Sequence, residues 1–403
     1  MGLLNSKTRS VVGLDIEPGF VAATEFTTGG SPTLVRAATT SIGPGLFHEG
    51  EVVDVDGLAE RLKSFFRENE LPKRVRLGVA SQKIAVRVIE LPRIENEQEL
   101  EAAVRFQAQE ELPMPLEQAV LDHRVLERIN DGDGEAGRMR VLVVGARRDS
   151  VEHLLAAARR AGLAPELVDL SAFAMIRALY VPRLAGFPAE PLDGPVPGEE
   201  TALQDPTADG AGLAVAAADG IDSTVPLPDP DSLATVYCYI GGLTNLAIAV
   251  GKNCVFNRVL HNGIESMAAT LAERKGLTLD HAREWLRHVG LERDINNIEG
   301  EREIIEETRE VLDNGARRIA DEVRLSIEYY HSTVPDAPRV EAAVMSGPGI
   351  ALAGLNELFG HELALPVESR SMGQVDVRPG ALDGVDGAHL TVATGLALDE
   401  VPV

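Results

Sequence analysis

Asp15 follows a short apolar run and stands just before a Pro-Gly pair that predicts a tight turn. A carboxylate in this position can hold a hydrated Mg²⁺ while the N–H groups of the turn face an anion. The same segment is also explained by a plain β-hairpin with an aspartate near its turn. It therefore indicates a nucleotide site only in combination with other segments.

Two glycine-rich segments later in the chain extend this pattern. One contains Gly241, Gly242 and Thr244, and the other follows an apolar run and contains Gly347 and Gly349. Glycines allow a backbone to approach a phosphate or a flat ring closely, although each segment alone is also typical of a turn. The three segments in this order favour a nucleotide cleft more strongly than any one of them does.

The elements that must position these residues begin with a β-hairpin over residues 10–27. Apolar spacing and capping residues then predict, in order, a helix over 55–69, strands over 76–80 and 84–91, a helix from the cap Asn96 to Pro113, strands over 121–126 and 139–145, and a helix capped by Asp149. Residues 163–170 follow without an assigned element and lead into a helix over 171–179.

The second half restarts the same pattern with a strand, a glycine-containing turn and another strand. Its predicted elements are strands over 235–240, 246–250 and 255–260, a short helix capped by Thr278, a long helix over 301–332, a strand over 340–345 and a helical segment within 390–398. Because both halves open alike, the sequence predicts a duplicated α/β architecture with a cleft between the halves.

Composition excludes several classes of protein. The net charge of −25 over 403 residues opposes sequence-independent binding to nucleic acid, because phosphate backbones repel an acidic surface. The two cysteines are too few for a disulfide scaffold, and the nine histidines form no HExxH pattern. No apolar run is long enough to insert into a membrane. A reducing cytosol fits best.

Residues 186–232 differ in composition from the rest of the chain. They contain eight prolines and ten acidic residues but no lysine or arginine. Such a segment cannot bury enough apolar surface to offset the entropy of ordering it. We therefore expect a disordered acidic insertion here, with a passive linker as its simplest role.

Several blocks of sequence identify a family. They are VGLDI at 12–16, VIELP at 88–92, EELPMPLE at 110–117, AGLAP at 161–165, IADEV at 319–323 running into SIEYY at 326–330, residues 347–355, and ATGLA at 393–397. With these blocks the chain resembles the PilM family of type IV pilus assembly proteins, which is itself similar to the cell-division protein FtsA. The resemblance covers nearly all of the chain outside the acidic insertion.

The resemblance implies an actin/Hsp70-like two-lobed α/β fold around an ATP and Mg²⁺ cleft, with an extra FtsA/PilM-type subdomain. The implied domains are lobe 1 at 10–83, 169–185 and 376–403, the inserted subdomain at 84–168, the acidic insertion, and lobe 2 at 233–375. Nucleotide-binding positions carried over to this chain are Asp15, Gly241, Gly242, Thr244, Gly347 and Gly349, with Asp15 as the metal ligand and no catalytic residue assigned.

The match of the nucleotide motifs is incomplete. Glu17 and Pro18 stand where the family has glycine and serine, so a carboxylate replaces phosphate-binding groups and one N–H donor is lost. Tyr239 replaces an aspartate, Ser171 replaces an acidic residue, and Pro348 replaces the middle glycine of the adenosine motif. We expect weak or vestigial binding of ATP and Mg²⁺, and weak or absent hydrolysis.

The implied function is that of a cytoplasmic adaptor. It would bind the N-terminal cytoplasmic peptide of a PilN-like inner-membrane protein, between the main lobe and the extra subdomain. Contacts with other pilus platform proteins are a further expectation. The Glu-rich helix at 97–111 is explained by a solvated surface or, alternatively, by a docking wall for a basic, apolar peptide.

Two alternatives remain open at this point. The first is an actin-like ATPase or phosphotransferase with substitute residues, supported by Asp15 and the intact glycines. The second is a divergent FtsA-like division protein, for which an amphipathic helix is expected near residues 397–403 and is not found in their sequence.

Overall fold

The structure is a computed structural model that describes residues 10–28, 31–129, 137–181, 233–334, 337–373 and 375–398. The predicted acidic insertion at 186–232 lies outside the described residues. Its disorder therefore stays a prediction.

The first half of the chain alternates strands with helices and contains the predicted hairpin. Its elements are β1 (Ser10–Glu17), β2 (Phe20–Thr27), β3 (Thr33–Ser41), β4 (Phe47–His48), β5 (Glu51–Val52), α1 (Val55–Glu68), β6 (Arg74–Val79), β7 (Ile84–Pro92), α2 (Glu97–Glu111), β8 (Ala119–Ile129), β9 (Arg138–Arg147), α3 (Arg148–Arg160), β10 (Ala164–Leu170) and α4 (Ser171–Leu179).

The second half carries the long predicted helix. Its elements are β11 (Ala234–Ile240), β12 (Thr244–Val250), β13 (Asn253–Leu260), α5 (Ile264–Lys275), α6 (Leu279–Val289), α7 (Arg302–Thr333), β14 (Val340–Ser346), α8 (Leu355–Leu363), β15 (Val367–Ser369), β16 (Asp376–Val377) and α9 (Thr391–Ala397).

Two larger sheets form the framework. The first has the order β10-β6-β1-β2-β3-β16, and the second has the order β13-β12-β11-β14-β15. β1 and β2 form the predicted hairpin, with Glu17 opposite Phe20. Gly19 closes its turn with φ near +93°, a conformation that side chains other than glycine rarely adopt.

A smaller sheet in the order β7-β9-β8 lies against the first one. One of its faces packs on α2 through Val141 and Val143. The opposite face meets the first sheet where Val86 and Leu142 pack against Leu170 of β10. This arrangement follows from the alternation of side chains along β9, since neighbouring residues of a strand point to opposite faces.

Helices α4 and α9 lie between the two larger sheets and join their cores. Met175 of α4 and Leu396 of α9 share one apolar cluster with Ala22 of the first sheet and with Tyr237 and Ala247 of the second. All five side chains are buried. The halves of the chain are therefore connected by packed side chains as well as by the backbone.

Most predicted elements are confirmed within a few residues, including the caps Asn96 and Thr278, whose side chains accept N–H bonds from the first turns of α2 and α6. The prediction that Asp149 caps α3 is wrong. α3 begins one residue earlier, and Asp149 lies in its first turn, where Oδ1 accepts a hydrogen bond of 2.9 Å from Arg147 Nε.

The domain boundaries stay a proposal, which the packing refines at one point. β7 to β9 form a sheet of their own, whereas α3 packs with the core of the first sheet through Leu154 and Ala157, and β10 pairs with β6. We therefore propose that the inserted subdomain begins near residue 84, as the sequence predicts, and ends near Arg147 rather than near residue 168.

Candidate functional site

The turn that follows β1 packs directly against the turn that follows β11, where the two larger sheets meet. A Cβ atom added to Gly242 would lie 2.1 Å from the carbonyl oxygen of Pro18. A Cβ atom added to Gly241 would lie 2.1 Å from Glu17 Oε2. Both glycines are therefore explained by the close approach of the chain's own residues, since any side chain would push the turns apart.

The Glu17 carboxylate occupies the N–H donors of the second turn. Its Oε2 accepts a hydrogen bond of 2.8 Å from the Gly242 N–H, and the side chain is only 3% exposed. Burial raises the pKa of Glu17 well above its ordinary value, and the nearby Asp15 raises it further. The N–H groups of Gly242 and Leu243 oppose this rise, because they stabilise the ionised carboxylate.

Asp15 and Tyr239 are buried beside Glu17. Burial raises the pKa of Asp15 to about 7, although a hydrogen bond from the Ile16 N–H works in the other direction. The pKa of Tyr239 is raised well above its usual range by burial, then by Glu17 and Asp15. Asp15 Oδ2 and the Tyr239 hydroxyl have no hydrogen-bond partner among the described residues.

The other residues of the predicted nucleotide site make internal contacts. The Thr244 hydroxyl donates to the Asn262 carbonyl oxygen at 2.6 Å. Gly347 has φ near +83°, and Cβ atoms added to Gly347 or Gly349 would lie within 3.0 Å of Ile240. The structure thus brings Asp15, Gly241 and Gly242 to one place and sets Gly347 and Gly349 against the end of β11.

The residues present do not fit a triphosphate with Mg²⁺. The N–H group that a phosphate would need is bonded to Glu17, and the space over both glycines is filled by Glu17 and Pro18. Across the part of the chain that the structure describes, no group of three or more histidine, cysteine or acidic side chains is arranged to hold a metal ion. The role of the six predicted residues in binding ATP therefore stays a prediction. The contacts of Glu17 and Pro18 argue against it.

Replacing Glu17 with alanine is expected to increase the affinity for Mg·ATP about a hundredfold. The change frees two N–H donors, and hydrogen bonds to a charged group contribute about 1.5 kcal/mol or more each. Isothermal titration at millimolar nucleotide measures the difference between the variant and the wild-type protein.

Glu17→Gln provides the matched control for this experiment. Its amide oxygen keeps an acceptor on the Gly242 N–H but carries no charge. We expect it to bind no better than the wild-type protein. An equal gain in both variants would mean that charge, rather than occupied donors, excludes the nucleotide.

A groove with a volume of about 1060 Å³ lies between the three-stranded sheet on one side and β10 with α4 on the other. Its upper wall is the face of β8 and β9 that carries Arg124, Leu142 and Val144. Its lower wall is formed by β10 and by Phe173 and Ile176 of α4. This volume reaches the upper end of the range for small-molecule pockets, so an extended segment of polypeptide fits as well.

Two arginines at the base of the groove bond to the ends of neighbouring elements. Arg76 Nη1 donates to the carbonyl oxygens of Ala397 and Leu398 at 3.2 and 3.1 Å, which satisfies the end of α9. Arg177 forms an ion pair with Asp169 and donates from Nε to the Gly395 carbonyl oxygen at 2.9 Å. The base of the groove is therefore fixed by internal hydrogen bonds.

Sequence reasoning expected a peptide site between the main lobe and the subdomain but identified none of its lining residues. The Glu-rich helix considered as a docking wall is α2, which packs on the face of the small sheet opposite the groove. Its glutamates, such as Glu99 and Glu110, are exposed. The alternation of β9 was the available signal, since Leu142 and Val144 point away from the face that packs on α2.

Among the described residues, every helix is too short or too polar to cross a bilayer; even α7, which has 32 residues, carries many charged side chains.

Comparisons with known proteins agree with this architecture. Residues 13–190 match the family described as type IV pilus assembly protein PilM. A solved structure titled as a PilM-PilN type IV pilus biogenesis complex is 23% identical, covers 97% of this chain and 98% of its own, and superposes with a TM-score of 0.70.

Two more distant structures cover nearly the whole chain. The ethanolamine utilization protein EutJ from Carboxydothermus hydrogenoformans is 13% identical, with coverage of 96% of this chain and 89% of its own and a TM-score of 0.48. MreB5 of Spiroplasma citri bound to ADP is 13% identical, with coverage of 96% and 95% and the same TM-score. The chain has the mixed α/β, actin-like fold that the sequence predicts.

Proposed function

We propose that the chain is a member of the type IV pilus assembly protein PilM family, whose model matches residues 13–190, and that it is a cytoplasmic adaptor that attaches to the inner membrane through a partner. The partner is a PilN-like inner-membrane protein, whose N-terminal cytoplasmic peptide binds in the groove between the three-stranded sheet and β10 with α4. Contacts with other proteins of the pilus platform are part of the same proposal.

The groove is the observation that carries this proposal. It combines a wall with apolar side chains, including Leu142 and Val144, with charged residues such as Asp122 and Lys252 at its margins. Such a surface suits a short peptide that has both apolar and polar side chains. The similar solved structure is a complex of PilM with PilN, which supports the choice of partner.

The closed turns between the sheets support an adaptor rather than an ATPase. Catalysis of phosphoryl transfer depends on positioned donors and metal ions around the phosphates. Here the Gly242 N–H is bonded to Glu17, and Tyr239 is buried where a carboxylate was expected. A phosphate-release assay on the wild-type protein, with Asp15→Ala as the background, is expected to detect no difference.

A binding experiment tests the proposed function directly. The full chain is titrated against a fluorescent peptide with the first fifteen or so residues of a PilN-like inner-membrane protein from the same organism. We expect saturable binding, and we expect Leu167→Glu to weaken it at least tenfold. Leu167 lines the groove and is 46% exposed, so a carboxylate there disturbs the peptide more than the fold.

Leu325→Glu is the control for this variant. Leu325 lies on α7, outside the groove, and is 47% exposed, so the same change is made at a matched position elsewhere. We expect its affinity for the peptide to equal that of the wild-type protein. Absence of binding by the wild-type protein at 100 μM peptide, or equal losses in both variants, would contradict the proposal.

A further inference from the structure

β10 is an edge strand that borders the groove. In the first sheet it pairs with β6 on one side, and no described strand pairs with its other side. Residues 166–169 of β10 line the groove. An edge strand presents backbone N–H and C=O groups that a further extended chain can pair with.

Two hydrogen bonds fix which backbone groups of β10 point toward the groove. The Ala164 N–H donates to the Lys73 carbonyl oxygen at 2.7 Å, so Ala164 faces β6. At the other end, the Leu170 N–H donates to its neighbour Asp169 Oδ1 at 2.8 Å, as expected for a group that points away from β6. Together with the register of β10 on β6, these bonds place the backbone N–H and C=O groups of Leu167 and Asp169 toward β6. The backbone N–H and C=O groups of Val168 point toward the groove.

The edge offers few other sites for pairing. Pro165 has no N–H, the ladder is irregular between Pro165 and Leu167, and the Leu170 N–H is already bonded. Native proteins commonly protect edge strands in this way against unspecific pairing. What remains is the N–H and C=O of Val168, in the part of β10 where the register with β6 is regular.

We propose that the partner peptide binds as an extended segment along β10 and exchanges backbone hydrogen bonds with the N–H and C=O of Val168. This inference rests on the proposed function, because the occupant is the same N-terminal peptide of a PilN-like protein. Alternate side chains of the peptide then face the apolar wall at Leu142 and Val144, while those between them face the solvent side of the groove.

The geometry suits a peptide better than a second folded copy of the chain. The opposite wall of the groove is the face of β8 and β9 rather than open solvent. A strand added to β10 therefore lies between β10 and this wall. A single extended chain fits in that space. Backbone pairing gives affinity in this arrangement, and the wall at Leu142 and Val144 gives selectivity for side chains.

Amide hydrogen exchange resolved to single residues tests the inference with the wild-type chain. Saturating peptide is expected to slow exchange of the Val168 N–H at least tenfold and to leave the Leu170 N–H unchanged, because the latter already has an acceptor. The same samples are followed by fluorescence anisotropy, which reports whether the peptide is bound.

The outcomes separate the two proposals. If the peptide binds and Val168 exchange is unchanged, strand addition is overturned while the proposed function stands. If anisotropy shows no binding, the proposed function fails and this inference fails with it. If protection of the Val168 N–H from exchange increases with protein concentration in the absence of peptide, a second copy of the chain is the occupant. That result would overturn the inference.

Discussion

A variant with asparagine at position 15 is expected to be more stable than the wild-type protein at pH 8, by up to about 4 kcal/mol. Asp15 is fully buried, its Oδ2 has no partner among the described residues, and its pKa is raised from 3.8 to about 7. Each unit of such a shift corresponds to about 1.4 kcal/mol. Asparagine removes the charge while keeping the shape of the side chain.

The sign follows from the protons bound in each state. Between pH 3.8 and about 7, the folded chain holds a proton on Asp15 that the unfolded chain has lost. The free energy of unfolding contributed by this group therefore falls as pH rises through that window. At pH 4 and below, the variant and the wild-type protein should differ little, because Asp15 is then neutral in the folded state.

Urea unfolding at pH 4, 6 and 8 measures this difference. The Asp15→Asn curve should separate progressively from the wild-type curve as pH rises. The same difference in the free energy of unfolding at all three pH values would show that Asp15 does not titrate in this window and would contradict its raised pKa.

Replacing Gly395 with alanine is expected to lower the free energy of unfolding by about 3 kcal/mol or more. An added Cβ would lie 1.7 Å from the carbonyl oxygen of Ala174, and the backbone of α4 cannot rotate away as a side chain can. Overpacking on this scale forces the two helices apart. Because α4 and α9 join the two larger sheets, the loss should appear in the main unfolding transition.

Gly45→Ala is the control for this change. No atom lies within 4 Å of the Cβ position at Gly45, and its φ is outside the left-handed region, so alanine should alter stability by less than about 0.5 kcal/mol. The two variants are compared by urea unfolding at one pH. Equal midpoints would contradict the close packing of α4 on α9.

Local patterns in the sequence predicted those elements that have a strong period or a capping residue. The hairpin of β1 and β2, the cap Asn96 on α2 and the long helix α7 fall where the apolar spacing placed them. Helices α5 and α8 were not predicted. α5 begins after Gly263, whose extended backbone packs on Gly241 and Gly242, and this contact between distant segments leaves no local signal.

The candidate sites show the same limit. Glu17 and Pro18 were recognised as departures from a nucleotide motif, but the sequence did not reveal that Glu17 bonds to the N–H of Gly242, 225 residues away. The groove was expected in general terms only, because its walls come from β8, β9, β10 and α4. Which faces of these elements oppose each other is decided by packing across the whole chain.

Helix α4 borders the groove on one side and the core between the two larger sheets on the other. This position affects how substitutions in the helix are interpreted. Phe173 and Ile176 line the groove, while Ala174 and Met175 lie in the cluster that joins the two larger sheets. A substitution in this helix that abolishes the proposed peptide binding can therefore act either through the groove or through the loss of the core that joins the sheets. Cellular abundance has to be measured beside every phenotype that maps to it.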